Sequence, residues 1–470
     1  MRKGLVSFAI MVLAVLVATV TVRAGNVDTY GIGAKATALG GAFSAYADDP
    51  FAAYYNPAGL TQIEKPTLSM GANVVKPVIR VYDYRATGMD YVPDGVVGPA
   101  NMYDQSRLLV VPHLGFAMPI GEGFSAGVAA YVPYGLDIQW KKDVAATGLG
   151  SGFCCNPGSY NSYRSYYLRE VVSPTLAYKF HDKFSVGAGL SFGKSKSGVE
   201  RLAFSPLSSL HNKRVITELD DDFNWSFNVG LMYKPVDFLV FGLTYRGRTD
   251  TKFEGTTKMK GAGQSITVMT EGAPLTVPLS NTKVRAKTEI DHPEQIQAGI
   301  RYIPSEKISI EADVTWTHWS VIDGYTVKFN RPFLNVPALG PMNPAKTSEY
   351  FKRDWDDTIQ FRLGAEWKVN TMIALRGSYL YDPTPIPDRT MDIQWPDADK
   401  HTFALGTGLN FGRISVDATI QYTWIPEKRK IKGESANLND TYEKGGGDPR
   451  VALEADGHLW GGAMTLNYTF

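Results

Sequence analysis

From about residue 67 to residue 470 the chain repeatedly alternates apolar and polar side chains with a period of two. Ile308, Ile310, Ala312, Val314 and Trp316 are interleaved with Ser309, Glu311, Asp313 and Thr315. Ile359, Phe361, Leu363, Ala365 and Trp367 are interleaved with Gln360, Arg362, Gly364 and Glu366. Ile414–Trp424 follows the same rule, and Phe184, Val186, Ala188, Leu190 and Phe192 alternate with Ser and Gly. The last stretch puts Trp460, Met464, Leu466, Tyr468 and Phe470 on one face. Successive side chains of a strand point to opposite sides, so each stretch is a strand with one apolar wall and one polar wall.

A soluble β-sandwich would also alternate. Here the strands run to ten or more residues, against about five or six in sandwiches. Aromatic residues also gather at strand ends (Trp316, Trp319, Trp367, Trp424, Trp460, Phe470), as a membrane-interface girdle requires. The pattern therefore predicts an all-β membrane protein, a transmembrane barrel. Mean hydropathy, −0.16, looks like that of a soluble chain, because lipid-facing and lumen-facing residues cancel in the average. Length alone, 470 residues, would suggest about three globular domains; a continuous strand repeat reads instead as one barrel.

Composition removes other classes. With 48 Lys+Arg against 47 Asp+Glu there is no basic excess for nucleic acid. At 44% hydrophobic the chain is not disordered. Two cysteines, Cys154 and Cys155, cannot staple a protein of this size; as neighbours they form either a vicinal disulfide or two exposed thiols. The seven histidines show no ligand spacing, so neither a metal nor a cofactor is expected. No Ser–His constellation of a lipase stands out, so no enzyme is expected. Asp220-Asp221-Asp222 reads as a solvated charge run or a cation site at a strand rim.

Residues 1–24 read as a secretory signal peptide: Arg2 and Lys3, an apolar stretch from Leu5 to Val22, then Val22-Arg23-Ala24. An uncleaved anchor is the alternative reading. No later run approaches the ~20 apolar residues of a membrane helix. Export with so few cysteines fits a bacterial envelope.

Strands are expected near 67–85, 106–120, 124–134, 164–180, 183–201, 213–233, 237–251, 282–303, 307–320, 350–368, 371–381, 400–411, 413–427 and 451–470. That is fourteen, and single-chain bacterial barrels have even counts. Tight connections such as Gly121-Glu122-Gly123 and His181-Asp182 alternate with long ones (86–105, 135–163, 202–212, 252–281, 321–349, 382–399, 428–450), placing both chain ends in the periplasm. Residues 25–66 carry no long alternating strand and are rich in Gly and Ala. They are expected to form a compact, partly helical hatch inside a lumen too wide for strand side chains to fill, with residues 67–470 as the barrel.

Several stretches resemble, in order, the FadL family of outer-membrane channels for long-chain fatty acids, which includes toluene and other hydrocarbon channels. They are Gly40–Phe43 through Ala47–Pro50 to Asn56-Pro57-Ala58-Gly59-Leu60, which resembles the family's hatch motif, then Tyr131–Leu136, Pro174–Phe192, Asp222–Tyr245, His292–Tyr302, Asp313–Ser320 and Tyr381–Asp388. The resemblance covers the mature chain. It implies a monomeric fourteen-stranded barrel in the outer membrane of a Gram-negative bacterium, surrounded by outer-membrane lipid and lipopolysaccharide. The terminal Phe470 resembles the signal by which such barrels meet the assembly machinery. It also implies capture of a hydrophobic ligand among the outer loops, transfer to a lumenal pocket at the hatch, and lateral release through a kinked third strand.

For that exit the candidates are Val132, Pro133, Tyr134 and Gly135, because proline cannot donate to a ladder; the alternative is that Pro133 ends the strand. For the ligand, the candidates are the hatch residues Val27, Tyr30, Ile32 and Phe43, which otherwise only pack the plug. The basic candidates are Lys194, Lys196, Arg201, Arg362 and Arg376, together with Arg301; Arg301, Arg362 and Arg376 are equally read as partners of lumenal acids such as Glu311, Asp313 or Glu366. A buried carboxylate needs such a cation, whereas the acidic stretch Lys352–Asp357 keeps a neutral hydrocarbon open. Three functions remain: uptake of hydrophobic compounds, foremost fatty acids; an open porin; and a surface receptor or adhesin.

Overall fold

A computed structural model describes residues 31–141, 156–269 and 273–470. The expected leader, Val27, Tyr30, Cys154 and Cys155 lie outside the described residues. Fourteen antiparallel strands close into a barrel: β1 (Thr67–Thr87), β2 (Leu109–Gly121), β3 (Phe124–Gln139), β4 (Arg164–His181), β5 (Phe184–Leu202), β6 (Arg214–Val236), β7 (Leu239–Arg246), β8 (Gln295–Ser305), β9 (Ile308–Thr317), β10 (Thr358–Lys368), β11 (Ile373–Asp382), β12 (Lys400–Asn410), β13 (Ile414–Trp424) and β14 (Arg450–Thr469). Each pairs with the next, and β14 returns to β1 in an unbroken register from Thr67↔Thr469 to Tyr82↔Glu454.

β1, β3 and β6 run past their expected spans, whereas β7, β8 and β10 are shorter than theirs, the expected 282–303 being divided into Lys283–Thr288 and β8. β1 has 21 residues and β6 has 23, where about 9–11 cross a bilayer; the surplus stands above the membrane. The long connections are not plain loops. Val96–Tyr103 pairs with β1, and Phe253–Lys260 pairs with β6 and with Lys283–Thr288. Gly324–Phe333 pairs with Lys346–Lys352. These pieces carry the wall outward.

Alternation sorts the two faces as expected. Leu190, Phe227, Leu231, Leu363 and Met464 face outward and exposed, while Ser191, Glu311, Gln360 and Thr465 are buried inside. A lower aromatic girdle includes the pairs Phe124–Tyr178 at 4.3 Å and Phe184–Tyr233 at 4.4 Å. An upper girdle includes Phe192–Phe223 at 6.3 Å and Tyr422–Trp460 at 4.6 Å. On β6 the rows at Phe223 and Tyr233 are ten residues apart. At roughly 3.3 Å per residue and a tilt of about 40°, that is about 25 Å, the height of an outer-membrane apolar band. One expected girdle member is elsewhere: Trp319 is buried, packing on Trp355 at 5.4 Å within the outer loops. It follows the last residue of β9, where the chain leaves the wall and turns inward.

Residues 31–63 occupy the lumen. Helix α1 (Ala34–Ala38) is followed by the left-handed Gly41 (φ 73°), whose N–H donates to the Ala36 carbonyl at 2.9 Å. Helix α2 (Ala52–Tyr55) leads to a 3-10 turn, Pro57–Gln62. The segment is bonded to many strands: Ala34 N–H to Thr465 on β14 at 2.8 Å, Thr419 on β13 to the Ala34 carbonyl at 2.6 Å, Asn228 on β6 to the Ala53 carbonyl at 2.7 Å, and Thr244 on β7 to the Tyr55 carbonyl at 2.8 Å. Small residues (Ala36, Ala42, Ala45, Ala47), all fully buried, permit this approach. In the Asn56-Pro57-Ala58 motif, the Asn56 side chain accepts from Ala58 N–H at 3.1 Å and donates to the Ser44 and Leu231 carbonyls at 2.6 and 3.0 Å. It thus caps the turn and ties it to β6.

A Cβ at Gly230 would lie 2.0 Å from Asn56 Oδ1. Gly230→Val is therefore expected to push the segment off the wall. Single-channel conductance in planar bilayers should rise severalfold while the barrel stays resistant to SDS without heating; unchanged conductance would show that the segment does not occlude the lumen.

Candidate ligand path

The barrel wall is interrupted between β2 and β3. Their pairing runs from Gly121↔Phe124 to Leu114↔Ala130 and stops. Beyond it, Leu109–His113 pair only with β1 and Tyr131–Gln139 only with β4. The wall is rejoined higher up, where Gln105 N–H meets the Gln139 carbonyl at 2.6 Å and Asp104 bridges Trp140. β3 does not end at Pro133: it continues to Gln139, with a register shift between Tyr131 and Tyr134 that contains Val132 and Pro133. Pro133 brings no N–H to this stretch, and Pro112 on the facing edge brings none either. Residues 129–138 of β3 are all buried, so the inside/outside alternation is lost there. Val111 of β2 packs against Val132 and Leu168 across the interruption. The seam is closed by apolar side chains instead of a hydrogen-bond ladder.

Behind this stretch stands Arg169 of β4, opposite Tyr134. It is 4% exposed. Its Nε donates to Asn224 Oδ1 at 2.9 Å and an Nη to Ser226 Oγ at 3.4 Å. Around it, His292 stacks on Tyr134 at 4.6 Å and meets Tyr167 at 5.4 Å. Two further guanidiniums line a cavity above the N-terminal segment, together with Lys400 and Asp382. Arg246 donates to Gln295 and Gln297, and Arg362 to the Gly40 carbonyl at 2.9 Å and to Gln360. Among the described residues none of the three has an ion pair with a carboxylate. Lys400, held by Asp382 and Asp397, separates this cavity from an apolar one bordered by Ile79, Met391, Ile425 and Leu459.

Above the membrane, a groove has an apolar floor, with Leu202, Phe204, Leu210, Phe329 and Phe333, and a rim of mixed charge: Arg201, Lys346 and Lys444 with Glu349, Asp440 and Glu443. The rest of the outer mouth is covered by a packed aromatic cluster including Trp140, Tyr160, Trp355 and Trp395. A fully buried Arg353–Asp392 ion pair at 2.7 Å pins two loops within it. At the opposite, periplasmic end, the N-terminal segment is fastened by charges. Tyr46 donates to Glu366 at 2.5 Å, with Lys35 and Arg301 on its ring at 4.5 and 3.4 Å. Glu311 and Asp313 accept the backbone N–H groups of Ala45 and Ser44.

The expected site residues separate accordingly. Arg362 faces the cavity and Arg201 the outer groove, where it pairs with Glu349 at 2.6 Å. Arg376 is bound to Glu366 at 2.7 Å and Asp417 at 2.6 Å, and so is a partner of lumenal acids. Lys194 and Lys196 share the outward face of Leu190 and Phe192. Lys194 pairs there with Glu170 at 3.0 Å, and Lys196 is exposed opposite Asp220; neither lines the lumen. Ile32 and Phe43 are buried inside the N-terminal segment, Phe43 between Tyr46 and Tyr55, and pack it. Arg169 and Arg246 were absent from the expected set. Strand parity, with Val171 and Thr244 inward, was the available signal for them.

A closed barrel with a filled lumen, a cation-lined cavity and an interrupted wall is the architecture of an outer-membrane transport channel. The family described as outer membrane protein transport protein (OMPP1/FadL/TodX) matches residues 14–470, and the chain belongs to it. It is 22% identical to the long-chain fatty acid transport protein of Escherichia coli O6:H1 over 97% of this chain and 98% of that one. A Pseudomonas aeruginosa FadL homologue has the same fold at TM-score 0.71 and 20% identity, over 96% and 99% of the chains. The Pseudomonas putida toluene transporter TodX superposes at TM-score 0.65 and 16% identity, over 94% and 99%. The protein is an outer-membrane transporter of hydrophobic compounds of a Gram-negative bacterium, in a family of transport channels.

Glu349 anchors the outer groove. Burial alone would raise its pKa, but Arg201 and Lys346 outweigh this and hold it below the ordinary glutamate range. A carboxyl depressed in the folded state stabilises above its unfolded pKa and ceases to as pH falls through the folded value. Limited proteolysis within residues 321–357 should therefore be slow at pH 7 and accelerate as pH falls below about 4.5, and Glu349→Gln should flatten the profile.

Proposed function

We propose that the protein takes up long-chain fatty acids, carrying them from the outer groove through the lumen and sideways into the membrane between β2 and β3. The observation that carries the lateral route is the wall interruption from Leu114/Ala130 to Ser106/Gln139, closed by Val111, Val132 and Leu168. Unpaired backbone facing hydrocarbon costs several kcal/mol per group. Such a seam is expected only where it is used, and an acyl chain slips past valines without disturbing a ladder. The straight route is opposed by the N-terminal segment, which acts as a plug and is fastened at its periplasmic side by Tyr46 on Glu366 and by Ser44 and Ala45 N–H on Asp313 and Glu311.

The choice of substrate rests on charge. Arg169, Arg246 and Arg362 donate only to neutral acceptors, the side-chain oxygens of Asn, Ser and Gln and the Gly40 carbonyl, so among the described residues none of the three has a carboxylate partner. A ligand carboxylate would supply one through charge-assisted bonds. A neutral hydrocarbon would leave these cations without a counter-ion. The amphipathic outer groove, an apolar floor under a rim of mixed charge, suits capture of an apolar chain before entry.

Two experiments test this reading. In a Cys154→Ser, Cys155→Ser background, Val111→Cys with Val132→Cys should lock the seam. Oleate uptake by whole cells should fall at least tenfold when oxidised and recover with reductant; unchanged uptake in the cross-linked protein would eliminate the lateral route. Arg169→Gln should slow oleate uptake about tenfold and leave uptake of neutral alkane or toluene unaffected, since an unpaired charged hydrogen bond is worth about 1.5–3 kcal/mol. Equal loss for both substrates would point to a structural role, and no loss for either would remove Arg169 from the path.

A further inference from the structure

The lumenal faces of β10 to β14 share one register row whose chemistry changes along its length. Arg362 is opposite Leu380, Leu380 opposite Thr402, Thr402 opposite Thr423 and Thr423 opposite Leu459. Neighbouring strands lie about 4.8 Å apart, so along the wall Thr402 and Thr423 are about 10 and 14 Å from Arg362, and Leu459 is about 19 Å away. The row runs from a cation through an aliphatic side chain to two hydroxyls and a second aliphatic side chain. Its first four members line the cavity above the N-terminal segment, and Leu459 borders the apolar cavity beyond Lys400.

Polar residues are the rule on a barrel's inner face, so the hydroxyls alone decide nothing. Their bonding is the informative part. Thr402 and Thr423 Oγ1 bond each other at 2.8 Å, which uses one of their two protons. Two residues from Thr423, on the same face, stands Gln421, 8% exposed and also lining the cavity. Its side-chain amide has no hydrogen-bond partner among the described residues. Gln295, Gln297 and Gln360, by contrast, are engaged by Arg246 and Arg362. The Gln421 amide rests over Gly461 of β14, where a Cβ would lie 2.5 Å from Nε2. A buried amide left without a partner is costly. A plain acyl chain with its carboxylate at Arg362 would lay methylenes against both threonine hydroxyls and this amide. A chain with a hydroxyl between half and three quarters of the way to its end would meet each group of the row in turn.

We propose that the preferred cargo is a long-chain fatty acid with a mid-chain hydroxyl, its carboxylate at Arg362, its hydroxyl among Thr402, Thr423 and Gln421, and its tail towards Leu459. This rests on the fatty-acid reading above and adds to it a second polar group. The same row accepts the unsubstituted acid less well, because nothing then replaces the missing hydrogen bonds.

The test compares oleate with ricinoleate, which differs from it only in carrying a mid-chain hydroxyl. Cells that depend on this protein for uptake are given both acids together at equal, limiting concentration, and the ratio taken up is read by mass spectrometry. The unmodified protein should favour ricinoleate about tenfold, the worth of one to two neutral hydrogen bonds. Thr423→Val with Gln421→Leu should bring the ratio to about one, and Thr402→Val alone should lower it severalfold. Heat-modifiable mobility in SDS identifies the variants that have folded, and the single variant carries the test if the double one has not. Oleate uptake with no preference for ricinoleate in the unmodified protein would overturn this inference and leave the fatty-acid reading standing. Uptake of neither acid would overturn both. A preference that persists in folded variants would take the hydroxyl away from these residues and overturn the proposed site.

Discussion

Backbone pairing in a medium without water governs this molecule. Hydrocarbon offers no partner to an N–H or C=O, so a β-protein can cross it only as a closed ladder. The β1–β14 seam supplies that closure, and with it come the fixed lumen, the two girdles and the inward polar face. Within such a rule the exceptions are informative. The β2–β3 interruption lies where both edges bring a proline and where Val111, Val132 and Leu168 fill the space.

The lumen is organised by a separation of charge. Towards the periplasm, cations and acids are matched: Arg376 with Glu366 and Asp417, Lys35 with Asp48. The Arg376 pairs tie strands of the wall to one another and Lys35–Asp48 ties the N-terminal segment to itself, while Tyr46 on Glu366 and the N–H groups of Ser44 and Ala45 on Asp313 and Glu311 hold the segment to the wall. Higher up, Arg169, Arg246 and Arg362 meet only neutral groups. Matched charges make a fastening and unmatched ones make an attraction, so the same residue type does opposite work at two heights of one barrel.

Much of this was readable from residue order. Alternation located all fourteen strands, because one face of each meets lipid and a one-residue slip would reverse it; β8 and β10 begin well after the expected 282 and 350, where the alternation belongs to the outer pieces Lys283–Thr288 and Lys346–Lys352. The same parity, applied to β5, would have put Lys194 and Lys196 outside with Phe192. What parity could not show was pairing: whether Arg376 was free or bound depended on Asp417, a residue two strands away. Pro133 marked the unusual strand, but the length of the interruption depends on where β2 loses its partner. The outer cluster was least legible. Arg353 and Asp392 are joined across loops with no period, and Trp319 passed for a girdle residue because it stands at a strand end.

The route of the N-terminal segment bears on how the barrel is made. The segment enters directly before β1, yet its hydrogen bonds reach β6, β7, β9, β13 and β14. The seat of the segment is therefore complete only once β13 and β14 stand beside it. Its docking reports on the whole wall, so a fault in the last strands is felt at the first residues of the chain.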